Sequence, residues 1–499
     1  MRKFIDTNVA FLLAIALFVR LLGIRSRPIW YDEAFSILFS EKGLSAMLYG
    51  TLAPTGTGSA DIHPLGYYTL LWLWMKLFGE SLVAVRFLSI LTGLISVYLI
   101  YKIGLEYLGD RRTAVLGALF VSLAPFQVHY SQEIRMYSLM TMLLLLATYS
   151  YLRGSKSGKW SWWLIFSGSA ALAQYTHHLA AFYLTALALL PILQRDWKTL
   201  TRLMIAGIGA MIIYAPWAFQ LPAQFTKVQN SYWVDRPDIS KFFTLILVYI
   251  TNTPLPTALV AAALFIALVI VIVGFIQTIK ETRTSSSKTG LWLLYLSFFP
   301  PLLLFVFSQW QPVYIERALL PSGAMFCLWL SWVIVNTHLP SPALYVFLGL
   351  LTVSAILGIY QHVTYRDVPY GPFLKLSAAL RQRFNPEDVI VHATKMTMLP
   401  MMIFDRTLAQ KYIDDPAGSG QDTLADATQE VLDIHADKNI SSAVKGAEQV
   451  WLIVFQRDIP ALEANQDPQS SLQYLNAQYQ LESAETWDGL RIFLYAKNP

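Results

Sequence analysis

The residues best equipped for chemistry in this chain of 499 amino acids fall in a few short segments, the first being PIWYDEAFS, Pro28 to Ser36. There Asp32 and Glu33 are adjacent carboxylates flanked by Trp30, Tyr31 and Phe35. Like charges side by side repel and aromatic surroundings disfavour ionisation, so the pair requires a cation or a reacting group against it. Other segments carry the same mixture: DIHP with Asp61 and His63, HYSQEIRMY with His129, Gln132, Glu133 and Arg135, YTHH with His177 and His178, and VYIERALLP with Tyr314, Glu316 and Arg317. Carboxylates interleaved with arginines and histidines suit a reaction on an anionic, lipid-linked substrate. One carboxylate, Asp32, takes the proton of an acceptor hydroxyl, while Arg135, Arg317, Tyr314 and His63 hold a phosphate on which charge develops.

Each of these residues also has a purely structural reading. Arg135 pairs with Glu133 and Arg317 with Glu316 as local salt bridges. His63 before Pro64 starts a helix, and His177 and His178 end one, since neither the HxH nor the HxxxH spacing of a closed metal site is present. Arg20 and Arg86, inside apolar runs, are paired within a helix bundle or snorkel to its surface.

Positioning such groups falls to membrane helices. The chain is 55% hydrophobic and 14% charged, with 15 Trp and 26 Tyr, and its mean hydropathy is +0.46; this excludes an ordinary soluble multidomain protein and fits a polytopic one with aromatic belts. The single cysteine, Cys327, rules out an intrachain disulfide. A net charge of +5 held in short basic loops points to anionic lipid and orientation signals, not to nucleic acid. The N-terminal Arg2 and Lys3 and the loops 102–112, 153–159, 195–202 and 280–288 all fit one cytoplasmic side. About eleven spans follow, near 9–24, 81–101, 113–128, 136–152, 160–176, 179–194, 202–219, 255–279, 290–308, 318–336 and 342–360. His63 to Gly79 is read as a helix lying in the outer interface, because counting it as a crossing would reverse every later basic loop. Lys241 onward starts a second interfacial helix. This orientation leaves the N-terminus cytoplasmic and the C-terminus outside.

From residue 361 the composition turns charged, and DVIVHAT, QVWLIVF and LRIFLYA read as buried strands with LKLSAALRQRF as a helix. The expected architecture is thus an α-helical polytopic membrane module over 1–360, with interfacial helices in its first extracytoplasmic loop, plus a small α/β extracytoplasmic domain over 361–499.

The motifs WYDEAFS, DIHPLGYY, GESLVAVRFLS, LAPFQVHYSQEIRMYSL and VYIERALLP, in this order, resemble the GT-C superfamily of polytopic glycosyltransferases, in the protein O-mannosyltransferase-like branch that includes the lipid A aminoarabinose transferases. The likeness covers roughly the first 220 residues and the surroundings of Arg317. It implies transfer of a sugar from a polyprenyl-phosphate donor to a protein, lipid or glycan acceptor at the outer face of the plasma or inner membrane, with inversion. It also implies Asp32 as catalytic base or acceptor-positioning residue, Glu33 as its companion and Glu133 at a second acidic position, where many relatives carry an Asp a few residues later and this chain has Ser138 and Thr141. Some relatives use a divalent metal cation, for which Asp61 and His63 are the nearest ligand pair. The competing reading is a transporter or flippase of lipid-linked saccharides, which predicts ionisable groups at mid-span and broken helices in two matching halves; a non-catalytic scaffold would leave WYDE unexplained.

Overall fold

The computed structural model describes residues 7–53, 61–231, 234–284, 288–337, 339–414, 423–464 and 472–498; Arg2 and Lys3 lie outside them. Among these residues seventeen α-helices lead into a six-stranded sheet domain. They are α1 (Thr7–Leu21), α2 (Tyr31–Glu41), α3 (Leu44–Leu52), α4 (Gly66–Phe78), α5 (Leu82–Leu108), α6 (Arg111–Leu123), α7 (Pro125–Gln132), α8 (Tyr137–Ser157), α9 (Trp160–Thr176), α10 (Ala180–Leu193), α11 (Trp197–Ala218), α12 (Leu221–Ser231), α13 (Ser240–Ile250), α14 (Thr257–Thr284), α15 (Thr289–Phe307), α16 (Leu320–Asn336) and α17 (Ser341–Thr364).

Each of the eleven expected spans corresponds to one of these helices or, once, to a bent pair. Among the described residues, six helices are long and apolar enough to cross a membrane, namely α5, α11, α14, α15, Glu316–Asn336 and α17, and the bent pair α6/α7 makes a seventh. The expectation of one straight helix over 113–128 gives way to a 56° break between α6 and α7. Pro125 causes it: proline lacks the N–H that would continue the ladder and forces Ala124 out of the helical region, to φ −61° and ψ 120°.

Among the described residues the first loop holds three helices, none of spanning length. The 13 residues of α4 reach only about 20 Å at 1.5 Å per residue, short of a hydrocarbon core of about 30 Å. Its Leu73, Leu77 and Phe78 stay exposed, as an interfacial helix requires. Helix α13, which starts at Ser240, is the short apolar helix expected from Lys241 onward.

The C-terminal part packs α18 (Phe373–Arg383) and α19 (Lys395–Phe404) with β1 (Asp388–His392), β2 (Gln410–Ile413), β3 (Ala436–Asp437), β4 (Gln449–Phe455), β5 (Tyr479–Trp487) and β6 (Leu490–Lys497). The strand order is β3-β2-β1-β4-β6-β5. The first four strands are parallel and the last two pairings antiparallel. DVIVH and QVWLIVF are buried along almost their whole length because both sheet faces are covered: Val389, Val391, Val450 and Leu452 enter one core, and Ile390, Trp451 and Ile453 the other. Met398, Leu399 and Tyr412 belong instead to the main helical core, so hydrophobic packing runs unbroken from α19 into α2.

Candidate active site

Asp32 and Glu33 occupy the first turn of α2, where the helix dipole favours negative charge. Successive residues on a helix point about 100° apart, and this separates the two carboxylates. Glu33 turns inward and is fully buried. Its Oε1 lies 3.9 Å from Arg27, 3.7 Å from Arg86 and accepts the backbone N–H of Ile134 at 3.1 Å. Arg86 also donates to the carbonyls of Ile24, Arg27 and Pro28 at 2.8, 3.0 and 3.2 Å. The loop before α2 is thereby locked onto α5.

Asp32 faces the other way, toward a partly open rim. Its Oδ2 stands 3.0 Å from Arg317 and 3.7 Å from Arg135, with side chains 15%, 17% and 4% exposed respectively. These three residues come from α2, from the 3-10 turn Glu316–Leu319 and from the break between α7 and α8, so the fold gathers groups nearly three hundred positions apart. The local salt bridges considered from sequence do not form: Glu316 pairs with Lys241 at 2.9 Å, and Arg135 donates to the hydroxyls of Ser36 and Tyr68 at 3.2 and 3.1 Å. Arg317 lies over the rings of Trp30 and Tyr137 at 5.5 and 5.2 Å, a cation–π contact with each.

Glu133 lies behind Trp30 and accepts the indole N–H at 3.0 Å. Burial pushes its carboxyl up to about 7, with Arg317 and Arg27 opposing and Glu33 and Asp32 adding to the rise. Asp61 and His63 engage each other: Asp61 Oδ1 accepts from the His63 backbone at 3.0 Å and meets Nδ1 at 2.6 Å. Burial alone would raise the Asp61 carboxyl, but the His63 charge and hydrogen bonds, with Arg135 beyond, bring it below its ordinary value. Among the described residues no group of three or more His, Cys, Asp or Glu gathers to hold a metal ion, and Asp61 and His63 are joined to each other through one carboxylate oxygen.

Tyr314 is not joined to the arginines. Its ring packs edge-on against Phe305 at 6.2 Å, and its buried hydroxyl has no hydrogen-bond partner among the described residues; the chain reverses into the 3-10 turn after it. Arg20, as expected of an arginine inside a bundle, satisfies carbonyls of Ala16, Val121 and Ser122. Tyr68, Tyr137 and Arg27 carry no role in the sequence reading, and Trp30 appears there only as an aromatic flank of Asp32 and Glu33. The signal available for Trp30 and Tyr68 was their place inside WYDE and HPLGYY, next to the charged residues they support.

Residues 62–219 match the family model described as dolichyl-phosphate-mannose-protein mannosyltransferase, a stretch with His63, Glu133 and Arg135 but not Asp32 or Arg317. Over 177 residues the chain is 27% identical to the undecaprenyl phosphate-alpha-4-amino-4-deoxy-L-arabinose arabinosyl transferase of Pseudomonas aeruginosa, covering 34% of this chain and 32% of that one. The match thus spans about a third of the curated relative's length. Among solved structures, ArnT from Cupriavidus metallidurans bound to undecaprenyl phosphate aligns with 98% of this chain and 99% of its own, at a TM-score of 0.65 and 12% identity. The Archaeoglobus fulgidus oligosaccharyltransferase in its apo form aligns with 99% of this chain and 74% of its own, at a TM-score of 0.57 and 11% identity.

Proposed function

We propose that this chain, which has the GT-C fold of these relatives, transfers a sugar from a polyprenyl-phosphate donor to an acceptor hydroxyl on the extracytoplasmic face of the plasma or inner membrane. The observation that carries this reading is Asp32 held between Arg135 and Arg317 at the rim of the helix bundle. Such a centre has a proton acceptor and two cations within reach of one small volume. Arg317 and Arg135 bind the donor phosphate through charge-assisted hydrogen bonds, and as the glycosidic bond breaks the added negative charge on the leaving phosphate is met by donors already in place. Both arginines address Asp32 Oδ2, leaving Oδ1 to take the acceptor proton as its oxygen attacks the anomeric carbon from the opposite face. A single displacement inverts that carbon. The phosphate is a good leaving group without protonation, so one carboxylate base suffices. Glu33 is a positioning residue that sets the first turn of α2, Glu133 holds Trp30 beneath Arg317, and His63, anchored by Asp61, borders the phosphate side. The N-terminus is cytoplasmic and the sheet domain outside.

The test is mass spectrometry of envelope glycans from a strain lacking this chain, complemented with wild type or Asp32→Asn. A sugar lost in the deletion and restored by wild type but not by Asp32→Asn supports the assignment. Full restoration by Asp32→Asn overturns it, and measurable translocation of a lipid-linked saccharide without transfer favours the flippase.

A further inference from the structure

Two buried hydrogen-bond donors beside the arginine pair have no partner within the described protein. His177 directly follows α9, and Tyr137 opens α8. The Nδ1 atom of His177 accepts the backbone N–H of Leu179 at 3.1 Å. A backbone N–H can only donate, so Nδ1 must carry the lone pair and Nε2 the proton: the ring is the neutral Nε2–H tautomer. That Nε2 is buried without a hydrogen-bond partner among the described residues, in a residue 4% exposed. The Tyr137 hydroxyl is in the same condition, in a residue 1% exposed. The two rings lie 5.6 Å apart. Tyr137 carries the Arg317 guanidinium on its face at 5.2 Å, and His177 meets the His63 ring edge-on at 5.1 Å.

Native interiors rarely leave such donors unmet, because burial strips their water and returns nothing. Tyr137 lies under Arg317 and His177 lies beside Tyr137, so an anion bound by Arg317 would supply an acceptor of the right charge next to both rings. A doubly charged phosphate monoester gains more from them than a singly charged diester, and neutral donors add this without burying further charge.

We propose that Tyr137 and His177 form the neutral half of the phosphate site, donating O–H and N–H to the non-bridging oxygens of a lipid-linked phosphate held by Arg317 and Arg135. This rests on the sugar-transfer reading above. Because the phosphate gathers charge as it leaves, both donors bind the released lipid phosphate more tightly than the sugar-bearing donor.

The experiment is binding of undecaprenyl phosphate, and separately of inorganic phosphate, to the purified full chain in detergent, for wild type, Tyr137→Phe, His177→Ala and His177→Gln. Glutamine places an N–H near the position of Nε2 while removing the ring. Undecaprenyl phosphate is expected to bind about tenfold more weakly to Tyr137→Phe and His177→Ala, the loss of one hydrogen bond to a charged group, and His177→Gln is expected to recover most of this. Inorganic phosphate competes in the same order but more weakly, since it lacks the chain that seats between helices. Unchanged affinity in Tyr137→Phe and His177→Ala overturns the inference, as does His177→Gln binding as poorly as His177→Ala, which would make the imidazole a packing element. Tighter binding of inorganic phosphate than of the lipid overturns the lipid-linked part. Wild type that binds neither probe overturns the donor reading itself, and this inference with it.

Discussion

Adjacent residues in this chain divide their labour by direction. Asp32 and Glu33 share a helical turn, yet one meets the arginines of the rim and the other is sealed against Arg27 and Arg86. Replacing Arg317 by alanine is therefore expected to lower kcat by about 10²–10³, the usual effect of removing one preorganised donor from a developing oxyanion. Lysine there restores little, because it offers a point charge in place of a planar fork that lies over the Trp30 and Tyr137 rings; single-turnover transfer rates measure both. Glu133 supplies a pH signature. Its carboxyl titrates near 7 in the folded protein against 4.5 for the free side chain, so between those values the folded state holds a proton that the unfolded state has lost. Stability from this group is complete below about pH 4.5 and declines as pH rises toward 7. Glu133→Gln should flatten that decline, read as melting temperature against pH. The sequence marked Asp32, Glu133, Arg135 and Arg317 because charged residues in apolar company stand out; it could not mark Tyr137 or His177, since an aromatic residue at a helix end looks the same whether its polar atom is satisfied or not.

Short elements, more than spans, shape the site. Helix α4 is held at one end by Trp74, whose indole donates to the Ala84 carbonyl at 2.8 Å, and at the other by Gly66, where an added Cβ would stand 2.5 Å from the Tyr175 carbonyl oxygen. That close approach brings His63 and Tyr68 to the end of α9. Gly66→Ala should push α4 and α9 apart, at a cost of about 1–3 kcal/mol, and raise the KM for the lipid donor more than it lowers kcat. Arg86 is the pin of α2. Arg86→Ala removes one of the two cations facing the buried Glu33 and leaves three carbonyls unmet, so a loss of about 3 kcal/mol is expected, visible as a lower melting temperature in detergent. Asp32→Asn, at the partly open rim, should abolish transfer with a much smaller shift. Hydropathy periodicity made the long helices and the strands legible. The break at Pro125 and the helix α2 were harder, because a proline between two apolar runs and a charged start after an aromatic pair each fit several local structures.

Across the whole molecule, the sheet domain sits directly on the first-loop helices. Arg406 makes a two-pronged pair with Glu41 at 2.9 and 2.7 Å, Tyr49 donates to Glu430 at 2.7 Å, Arg27 donates to the Tyr370 hydroxyl at 2.9 Å, and Lys395 lies 5.6 Å over the Tyr31 ring. These contacts differ in weight. Arg406 is 47% exposed, so Arg406→Ala should cost less than about 1 kcal/mol, whereas Tyr370→Phe leaves a buried guanidinium N–H unmet and should cost about 1–3 kcal/mol; denaturation of the two variants compares them. Orientation is testable on the same chain. Its one cysteine, Cys327, is buried, so Glu482→Cys on exposed β5 is expected to react with an impermeant maleimide added to intact cells, and reaction only after lysis would reverse the topology.

The sequence by itself determined that the chain lives in a membrane, where its long helices and strands run, and which segments carry charge among apolar neighbours, because hydrophobic period and composition are local properties set by the solvent each residue must meet. It could not determine that Arg317 and Arg135 choose Asp32 over their neighbours Glu316 and Glu133, or that Tyr314 packs against Phe305 while Tyr137 lies under Arg317. Those choices depend on the directions of side chains from elements far apart in the chain, and only packing the helices against one another assigns them.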